Sequence, residues 1–491
     1  MNQKIEEILT QIKRYNSQAN FELIKKAYRL AKQAHAGQKR LSGEDFIAHP
    51  LAVIKTLADW RLDSGSIAAG LLHDTVEESE TSLAKIKKEF GDEIANLVDG
   101  VTKIGEIKLR GKKSEAFVEN LRKMIVVMAR DLRVVLIKLA DRYHNLKTLY
   151  VLPKEKQIRI ARETLEVYAP LAERLGIGEM NGQLEDLAFP YFYPKKYQWL
   201  KKYSQPYFKK ADEHIKKVKR KIIKALAEKS IRAKVDGRKK HLYSLYKKLL
   251  RPEKDKDIER IHDLVALRVI LETVEECYAA LGVIHKLFKP VPSIGIRDFI
   301  AQPKPNGYQA IHTNVFCLGR ITEIQIRTNK MHEHAENGIA AHWYYGQQKT
   351  KGREDKAVEV GFFAPTEKMT WIKELVKWQE EITDSKEFVD SLRFDALSHR
   401  NFIFSPKGDV FDLPIDATPV DFAYKVHTIL GDSCSGAKVD GKLVSLHYKL
   451  RSGQVVEIIS SKIKKRPSRD WLNFVVTRTA KRRIEKHFRK S

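Results

Sequence analysis

Two kinds of hydrophobic pattern divide the chain. Up to about residue 190, apolar residues recur at the three- and four-residue spacing of amphipathic helices, as in FELIKKAYRLAKQAH and NLRKMIVVMARDLRVVLIKLADRYHNL. From about residue 236, short β-rich runs such as LVALRVIL and ITEIQIRT alternate with helical segments. These patterns predict an all-α region that is followed by a mixed α/β region.

The rest of the chain has a third character. After a charged connector and a helix-forming segment, the run NFIFSPKGDVFDLP predicts a hairpin that turns at Lys407, Gly408 and Asp409. We therefore expect five segments: an all-α domain at 1–195, a mixed α/β domain at 196–345, a helical linker at 346–400, a small β-rich module at 401–462 and the start of a basic helical region at 463–491.

Length and composition are those of a multidomain globular protein. The 491 residues suffice for about three domains, and 43% of them are hydrophobic. No apolar run approaches the roughly 18 residues of a membrane span, and the first residues lack the apolar stretch of a signal peptide. We expect a cytoplasmic protein without membrane contact. The cysteines Cys277, Cys317 and Cys434 are too widely spaced for a disulfide framework.

Positive charge is concentrated in one part of the chain. The formal net charge is +28, and residues 195–254 alone contain 22 Lys/Arg against 5 Asp/Glu. Such an excess favours polyanionic partners, namely nucleotides with several phosphates or RNA. A solvated helix face is the alternative interpretation of this segment.

Metal-binding and acidic residues are crowded into the stretch LLHDTVEES at 71–79. In a helix, His73 lies one turn before Glu77 and Asp74 lies one turn before Glu78, so these side chains share one side. Two ligands rarely hold a metal ion, so further donors must come from elsewhere in the chain. For each residue alone, a structural polar contact at a helix end is the alternative interpretation.

Two further donors stand out. His49 lies at a predicted loop–helix junction, because Pro50 suits the first turn of a helix. Asp141 ends the apolar run VVLIKLAD. A set of two histidines and two aspartates suits a divalent ion such as manganese, iron or zinc. The glutamates that follow such a set can orient an attacking water and take its proton.

The stretches AHAGQKRLSGEDFIAHP, LLHDTVEES and LIKLADRYHNLKTL together resemble the HD-type hydrolase domain of the long RelA/SpoT homologues, the bacterial enzymes that make and destroy the alarmone (p)ppGpp. The resemblance implies the following site residues: the Mn²⁺ ligands His49, His73, Asp74 and Asp141, the catalytic acids Glu77 and Glu78, and the guanine-nucleotide pocket residues Arg40 and Asn145. Glu78 stands where the family usually has Asp, and Leu41 stands where a Lys is common. All four ligands are present, so we expect hydrolysis to survive.

Polar residues in the α/β region also form a pattern. In KPNGYQAIHTNVF, alternation after a turn puts Tyr308 and His312 on one face, where a base can stack on the tyrosine. In ITEIQIRT, Glu323 lies on the face opposite the apolar residues. Asp263, at the start of DLVALRVIL, would complete a magnesium site with Glu323. A cross-strand aromatic pair is the alternative for the first motif.

The motifs GRKKHLYSLYKK, IHDLVALRVI, KPNGYQAIHT and EIQIRTNKMHEHAENGIAAHW resemble the family's synthetase domain, which transfers the β,γ-pyrophosphate of ATP to the 3′-hydroxyl of GDP or GTP. The resemblance implies these roles: Asp263 binds Mg²⁺, Glu323 binds it or acts as the base, Tyr308 stacks on guanine with His312, Lys304 and Asn306 around it, and Arg238, Lys240 and Lys248 hold the ATP phosphates. Arg297 keeps a cation in the family's Arg-x-Lys-Asp motif. Gly295 replaces the first arginine, which leaves the choice between GDP and GTP open.

Residues 401–462 resemble the TGS domain, a small β-grasp fold found in this family. The resemblance implies that His427, in VHTILG, meets the 3′ end of uncharged tRNA on the ribosome; a structural histidine is the alternative. The segment after Pro467 is similar to the opening of the family's helical domain, and we expect the remainder, with the ACT module, to be missing.

The sequence thus predicts a multidomain protein with an all-α HD-type hydrolase domain, a mixed α/β nucleotidyltransferase-like synthetase domain and a β-grasp TGS domain. The expected function is a bifunctional enzyme that makes and hydrolyses (p)ppGpp. Two alternatives remain open: an enzyme that is mainly a hydrolase because the Gly295 change weakens synthesis, and a non-catalytic regulator that binds tRNA or the ribosome.

Overall fold

The computed structural model describes residues 3–105, 124–250, 256–261, 263–292, 294–304, 307–338, 400–461 and 467–489. The chain divides into two units, residues 1–197 with 336–388 and residues 198–335 with 389–491. The expected helical linker at 346–400 lies outside the described residues except for its last residue.

The first unit is helical. Its helices are α1 (Gln3–Tyr15), α2 (Phe21–Ala34), α3 (Ala48–Asp59), α4 (Ser64–Leu72), α5 (Thr75–Glu78), α6 (Leu83–Gly105), α7 (Leu132–Lys147), α8 (Lys154–Glu163), a π-helical turn (Thr164–Tyr168), α9 (Ala169–Arg174), α10 (Gly178–Phe192) and the start of α11 (Pro194–Ala227). Side-chain caps begin several of them. Asn20, Asp63 and Asp131 each accept a hydrogen bond from a backbone N–H in the first turn of α2, α4 and α7.

Helices α3, α4 and α7 pack against one another in the core of this unit. Leu57 of α3, Leu71 of α4 and Leu136 of α7 are completely buried. Gly70 allows the close approach of α4 to α3, because a Cβ atom at this position would lie 2.7 Å from Cδ1 of Leu57. This packing brings the start of α3, the end of α4 and the second half of α7 to one place.

The second unit contains a six-stranded mixed sheet. Its strands are β1 (Lys234–Lys239), β2 (Val265–Leu271), β3 (Lys289–Pro290), β4 (Arg297–Asp298), β5 (Ile311–Cys317) and β6 (Arg320–Thr328), in the order β1-β2-β6-β5-β3, with β4 on β5. Strands β2 and β6 are parallel, with Leu267 opposite Ile324, and the other pairs are antiparallel. Helices α11, α12 (Leu242–Leu249), α13 (Val274–Leu287) and α14 (Asn329–Asn337) accompany the sheet.

The C-terminal part of the second unit is a small α/β module. It consists of the hairpin β7 (Arg400–Phe404) and β8 (Val410–Pro414), the helices α15 (Pro419–Val426) and α16 (Thr428–Asp432), the sheet of β9 (Cys434–Val439), β10 (Lys442–Val444) and β11 (Val456–Ser460), and α17 (Arg478–Arg489). The predicted hairpin turn is confirmed, since Gly408 has φ +90° between the paired strands β7 and β8.

The predicted fold class is confirmed: a helical domain, a mixed α/β domain and a small sheet-containing domain. Two boundaries differ in detail. Strand β2 begins at Val265, two residues after Asp263, and β5 begins at Ile311, so Tyr308 lies in the approach to the strand. None of the helices described above has the length and apolar character that a membrane crossing requires.

Candidate active sites

The stretch LLHDTVEES is split between two helices, so the prediction of one continuous helix is wrong. Helix α4 ends at Leu72 and α5 begins at Thr75. The Thr75 hydroxyl donates to the carbonyl oxygen of Leu72 at 2.7 Å, and Nδ1 of His73 lies 2.9 Å from the carbonyl oxygen of Gly70. These side chains bond to carbonyl groups that a continuous helix would use. His73 and Asp74 consequently lie at a junction between helices.

The four predicted metal ligands meet in the helical unit. His49, His73 and Asp141 present ligand atoms that all lie within 4.8 Å of one another. Asp74 joins them, with Oδ2 at 3.3 Å from Nε2 of His49 and Oδ1 at 3.1 Å from Nε2 of His73. Nε2 of His49 also lies 3.2 Å from Oδ1 of Asp141. The donors therefore come from the start of α3, the α4–α5 junction and the middle of α7.

The chemistry of this donor set fits a divalent ion. Nε2 of His73 is buried and makes no hydrogen bond, although Oδ1 of Asp74 is close to it. A buried imidazole nitrogen without a partner is unfavourable unless a ligand satisfies it. Two imidazole nitrogens combined with carboxylate oxygens suit a borderline or hard divalent cation.

Electrostatics keep the two carboxylates ionised. Burial opposes ionisation, but the hydrogen bond and the positive charge of the adjacent His49 lower the pKa of Asp74. For Asp141, burial is likewise outweighed, first by Lys138 and then by His49, and its pKa is lowered. Burial lowers the pKa of His73, which favours the neutral imidazole that a metal requires. The set therefore offers two anionic carboxylates near neutral pH.

A cavity of about 620 Å³ opens beside the ligands. It lies within the size range of small-molecule sites, roughly 300 to 1,000 Å³. The predicted catalytic acids Glu77 and Glu78 line it, together with Arg40 and Asn145. Leu41 also lines the cavity and is 75% exposed. Because leucine carries no charge, the positive charge in this part of the cavity comes from neighbouring residues. The cavity is thus large enough for a nucleotide, and three of the four predicted metal ligands and the basic Arg40 line it.

Two residues that sequence reasoning missed support the ligands. Nζ of Lys138 lies 2.8 Å from Oδ2 of Asp141. Nδ1 of His144 lies 2.8 Å from Nδ1 of His49. Both residues lie three positions from Asp141 on α7, so their helical spacing was a usable signal. Burial, followed by the positive charges of His49 and Arg40, lowers the pKa of His144 to about 3.

In the α/β domain, two lysines surround the predicted magnesium ligand Asp263. Lys248 donates to Oδ1 at 2.7 Å and Lys240 donates to Oδ2 at 2.8 Å. Burial would raise the pKa of this carboxyl group, but the two ammonium groups lower it well below its usual range. The charge of Asp263 in turn acts to raise the pKa of Glu323.

Glu323 belongs to a chain of polar contacts. Its Oε1 lies 2.8 Å from Nδ1 of His312, and Nε2 of His312 lies 2.7 Å from the hydroxyl of Tyr308. Arg297 donates to the same Oε1 at 3.3 Å. Although burial opposes ionisation, His312 lowers the pKa of Glu323. The chain therefore ends in an ionised carboxylate, which can accept a proton.

The remaining predicted nucleotide residues lie around this chain, as far as the structure describes them. Nζ of Lys304 lies 4.9 Å from the centre of the Tyr308 ring and 4.7 Å from the centre of the Phe402 ring. Arg238 lies on β1, and its charge acts on the hydroxyl of Tyr308. Asn306 lies outside the described residues.

His427 lies between α15 and α16 in the C-terminal module. Its Nδ1 accepts a hydrogen bond of 3.3 Å from the backbone N–H of Ile429, so it caps the start of α16. Both side chains are exposed, and Ile429 is 69% exposed. The structural role of a helix cap leaves one edge of the imidazole open to a partner.

Comparison with known proteins gives three matches in chain order. The HD domain model matches residues 27–178, the model of the region found in RelA/SpoT proteins matches residues 237–350, and the TGS domain model matches residues 401–460.

Three curated relatives match almost the whole chain. A GTP pyrophosphokinase of Myxococcus xanthus is 44% identical over 476 residues, which cover 96% of this chain and 61% of the relative. A guanosine-3′,5′-bis(diphosphate) 3′-pyrophosphohydrolase of Aquifex aeolicus is 44% identical over 471 residues, or 96% of this chain and 65% of the relative. The bifunctional (p)ppGpp synthase/hydrolase RelA of Mycobacterium tuberculosis is 44% identical over 474 residues, or 96% and 63%.

The chain therefore spans less than two thirds of the length of these relatives. Its HD, RelA/SpoT and TGS regions, and its identity to these proteins along nearly its whole length, show that the chain belongs to the RelA/SpoT family.

Proposed function

We propose that this chain is a bifunctional enzyme that transfers pyrophosphate from ATP to GDP or GTP and hydrolyses the resulting (p)ppGpp. The observation that carries the proposal is the meeting of His49, His73, Asp74 and Asp141 beside a cavity that also contains two glutamates. The relatives that match include both a GTP pyrophosphokinase and a (p)ppGpp pyrophosphohydrolase, which supports the two activities in one chain.

In the proposed hydrolysis, a water attacks the phosphorus that is bonded to the ribose 3′-oxygen. The bond between them breaks, pyrophosphate leaves and the 3′-oxygen takes up a proton. Glu77 and Glu78, which line the cavity, orient the water and accept its proton. His49, His73, Asp74 and Asp141 would hold Mn²⁺, which supplies Lewis-acid polarisation of the phosphate. Arg40 and Asn145 bind the nucleotide.

In the proposed synthesis, the 3′-hydroxyl of GDP or GTP attacks the β-phosphorus of ATP. The bond from the β-phosphorus to the oxygen bridging the α- and β-phosphates breaks, AMP leaves, and Glu323 accepts the hydroxyl proton. Asp263 and Glu323 would hold Mg²⁺, which neutralises charge on the phosphates. Tyr308 stacks on the guanine, and Arg238, Lys240 and Lys248 bind the ATP phosphates.

Hydrolysis is tested by incubating the full chain with labelled ppGpp and Mn²⁺, and separating the products by thin-layer chromatography. We expect release of pyrophosphate by the parent and a loss of more than about 100-fold in Asp74→Ala. Asp59→Ala is the matched control, because Asp59 ends α3 and is exposed. A parent that leaves ppGpp intact would refute the hydrolase half.

Synthesis is tested with ATP, Mg²⁺ and either GDP or GTP. We expect ppGpp or pppGpp from the parent and a loss of more than about 100-fold in Glu323→Gln. Glu275→Gln, on the exposed side of α13, is the control.

A mainly hydrolytic enzyme is the second candidate. Gly295 has φ +67° and no side chain, so this position supplies no cation where the family usually has arginine. Hydrolysis without detectable synthesis would favour this candidate. A chain that is inert in both assays but binds tRNA would instead favour a non-catalytic regulator.

Uncharged tRNA and the ribosome are proposed partners of the TGS domain in a cytoplasmic protein. The exposed pair His427 and Ile429 supports a contact with the tRNA 3′ end. We expect His427→Glu to weaken binding of uncharged tRNA by about tenfold, because a carboxylate repels phosphate. Equal tRNA affinity of the variant and the parent would contradict this contact.

A further inference from the structure

His144 contacts a predicted metal ligand without belonging to the ligand set. Its Nδ1 lies 2.8 Å from Nδ1 of His49, and the two ring centres are 4.9 Å apart. The same Nδ1 lies 3.3 Å from Nη1 of Arg40. One nitrogen of His144 therefore faces two neighbours, and only one proton arrangement satisfies both.

The arrangement follows from what each group can do. Arg40 can only donate, so Nδ1 of His144 must be an acceptor and its proton lies on Nε2. An accepting Nδ1 requires that Nδ1 of His49 carries a proton and donates. A divalent ion binds an imidazole only after the proton on the binding nitrogen has left, and with the remaining proton held on Nδ1 the lone pair of His49 is on Nε2. That is the atom of His49 that lies 3.3 Å from Asp74 and 3.2 Å from Asp141.

The second histidine of the set shows the same orientation by a simpler means. Nδ1 of His73 lies 2.9 Å from the carbonyl oxygen of Gly70. A carbonyl group can only accept, so the proton of His73 is on Nδ1 and its lone pair is on Nε2. His49 has no such carbonyl contact among its described hydrogen bonds, and a second imidazole takes the place of the carbonyl.

Arg40 connects the other side of the ligand set as well. Its Nη2 donates to Oδ1 of Asn145 at 2.8 Å, and Nδ2 of Asn145 donates to Oδ1 of Asp141 at 2.5 Å. The guanidinium group thus reaches one histidine ligand through His144 and one carboxylate ligand through Asn145. It also lines the cavity, so a ligand in the cavity meets the same group.

We propose that His144 is a positioning residue that fixes the tautomer of His49 so that Nε2 faces the metal, with Arg40 setting the orientation of His144. This inference rests on the proposed metal site. Partners of this kind typically change metal affinity by 10- to 100-fold when they are removed.

The test is Mn²⁺ binding to the nucleotide-free full chain. Binding is measured as the decrease of the free Mn²⁺ signal in electron paramagnetic resonance. His144→Leu removes the acceptor, and we expect its dissociation constant for Mn²⁺ to rise by about 10- to 100-fold. In His144→Asn the side-chain oxygen takes the position of Nδ1 and can still accept. We expect this variant to bind within about threefold of the parent.

His35→Leu is the matched control. His35 is buried in the same domain and stacks on Phe46, with ring centres 4.4 Å apart, but its described hydrogen bond goes to Gln38. Its loss can disturb packing without removing an acceptor from His49. We expect its Mn²⁺ affinity to stay near that of the parent, and melting temperatures of all variants identify any that fail to fold.

The outcomes separate the two proposals. A parent that does not bind Mn²⁺ would refute the proposed metal site itself. A parent that binds, with His144→Leu equal to it, would refute the positioning role alone. Equal weakening by His144→Leu and His144→Asn, or by His35→Leu, would likewise overturn the positioning role, because packing and not the acceptor would then decide affinity.

Discussion

The Nζ atom of Lys248 lies 2.7 Å from Oδ1 of Asp263, so an ammonium group takes the position beside the carboxylate that the proposed Mg²⁺ needs. Lys240 contacts the second oxygen in the same way. Phosphates of ATP would draw both lysines away and bring Mg²⁺ with them. We therefore infer that Mg²⁺ enters together with ATP.

This relationship gives a prediction with two opposite signs. Lys248→Met should raise the affinity of the nucleotide-free chain for Mg²⁺ by about fivefold. The substitution removes the ammonium group that competes with Mg²⁺ for Asp263, and a partly exposed ion pair of this kind contributes about 1 kcal/mol. The same change should raise the KM for ATP by about tenfold or more. Titration calorimetry measures the first and steady-state synthesis the second. The neighbouring Lys247→Met is the control, and a fall in Mg²⁺ affinity in Lys248→Met would contradict the competition.

The Tyr308 hydroxyl and ring should make separable contributions. Because Nδ1 of His312 donates to Glu323, Nε2 accepts from the Tyr308 hydroxyl. Tyr308→Phe keeps the ring, so we expect the KM for GDP or GTP to change by less than about fivefold. Tyr308→Ala loses stacking worth about 1 to 3 kcal/mol, or roughly 5- to 150-fold in KM. Equal effects of the two substitutions on KM would rule out stacking as the role of this ring.

The buried cysteines should be inert near neutral pH. Burial raises the pKa of Cys277 to about 12 and that of Cys434 to about 11. At pH 8 the thiolate fraction is then about one in a thousand or less. A thiol with the ordinary pKa of 9.0 would be about one tenth thiolate at the same pH. Iodoacetamide should modify these thiols only after unfolding, as mass spectrometry of native and guanidinium-treated samples would show. Rapid native labelling would contradict their burial.

The same thiols set a pH dependence of stability. In the unfolded chain they ionise above about pH 9, whereas the folded chain keeps them protonated up to their raised pKa values. The folded state then holds more protons, so the free energy of unfolding falls as pH rises from 9 towards 11. We expect Cys434→Ala to lessen this fall, measured by urea denaturation. If the free energy of unfolding falls equally steeply in Cys434→Ala and in the parent between pH 9 and 10.5, the thiol does not cause the fall.

In the TGS domain, Asp421 connects two segments. One oxygen accepts from the backbone and hydroxyl of Thr418 at 2.9 and 2.8 Å, and the other accepts from the backbone and hydroxyl of Thr477, both at 2.8 Å. In Asp421→Asn one oxygen becomes a donor, which leaves buried groups without a partner. We expect a local loss of about 3 kcal/mol, or roughly 100-fold faster amide hydrogen exchange around Thr477. The exposed Asp416→Asn is the control, and equal exchange in both variants would refute the connection.

Local patterns predicted the parts of the sites that lie within single elements. The position of His49 in the first turn of α3 followed from Pro50, and the alternation of β6 separated Glu323 from Ile324. What the sequence could not predict depends on contacts between distant segments. Side chains that bond to carbonyl groups accompany the break after Leu72, and the two lysines meet Asp263 because β1 pairs with β2 and Lys240 and Lys248 follow β1.

His144 shows the same limit. Its distance of three residues from Asp141 was visible in the sequence, but its partner His49 lies on another helix. No spacing rule selects one acceptor among the histidines of a bundle.

The parallel register of β2 and β6 decides when the second site can exist at all. Strands far apart in the sequence must pair, with Leu267 opposite Ile324, before Asp263 and Glu323 can act on one ion. A slip by a single residue would point Glu323 into the apolar interior and Ile324 towards the phosphates. Non-local pairing of this kind is slow. A newly made chain should therefore gain the proposed capacity for pyrophosphate transfer only after the sheet has closed.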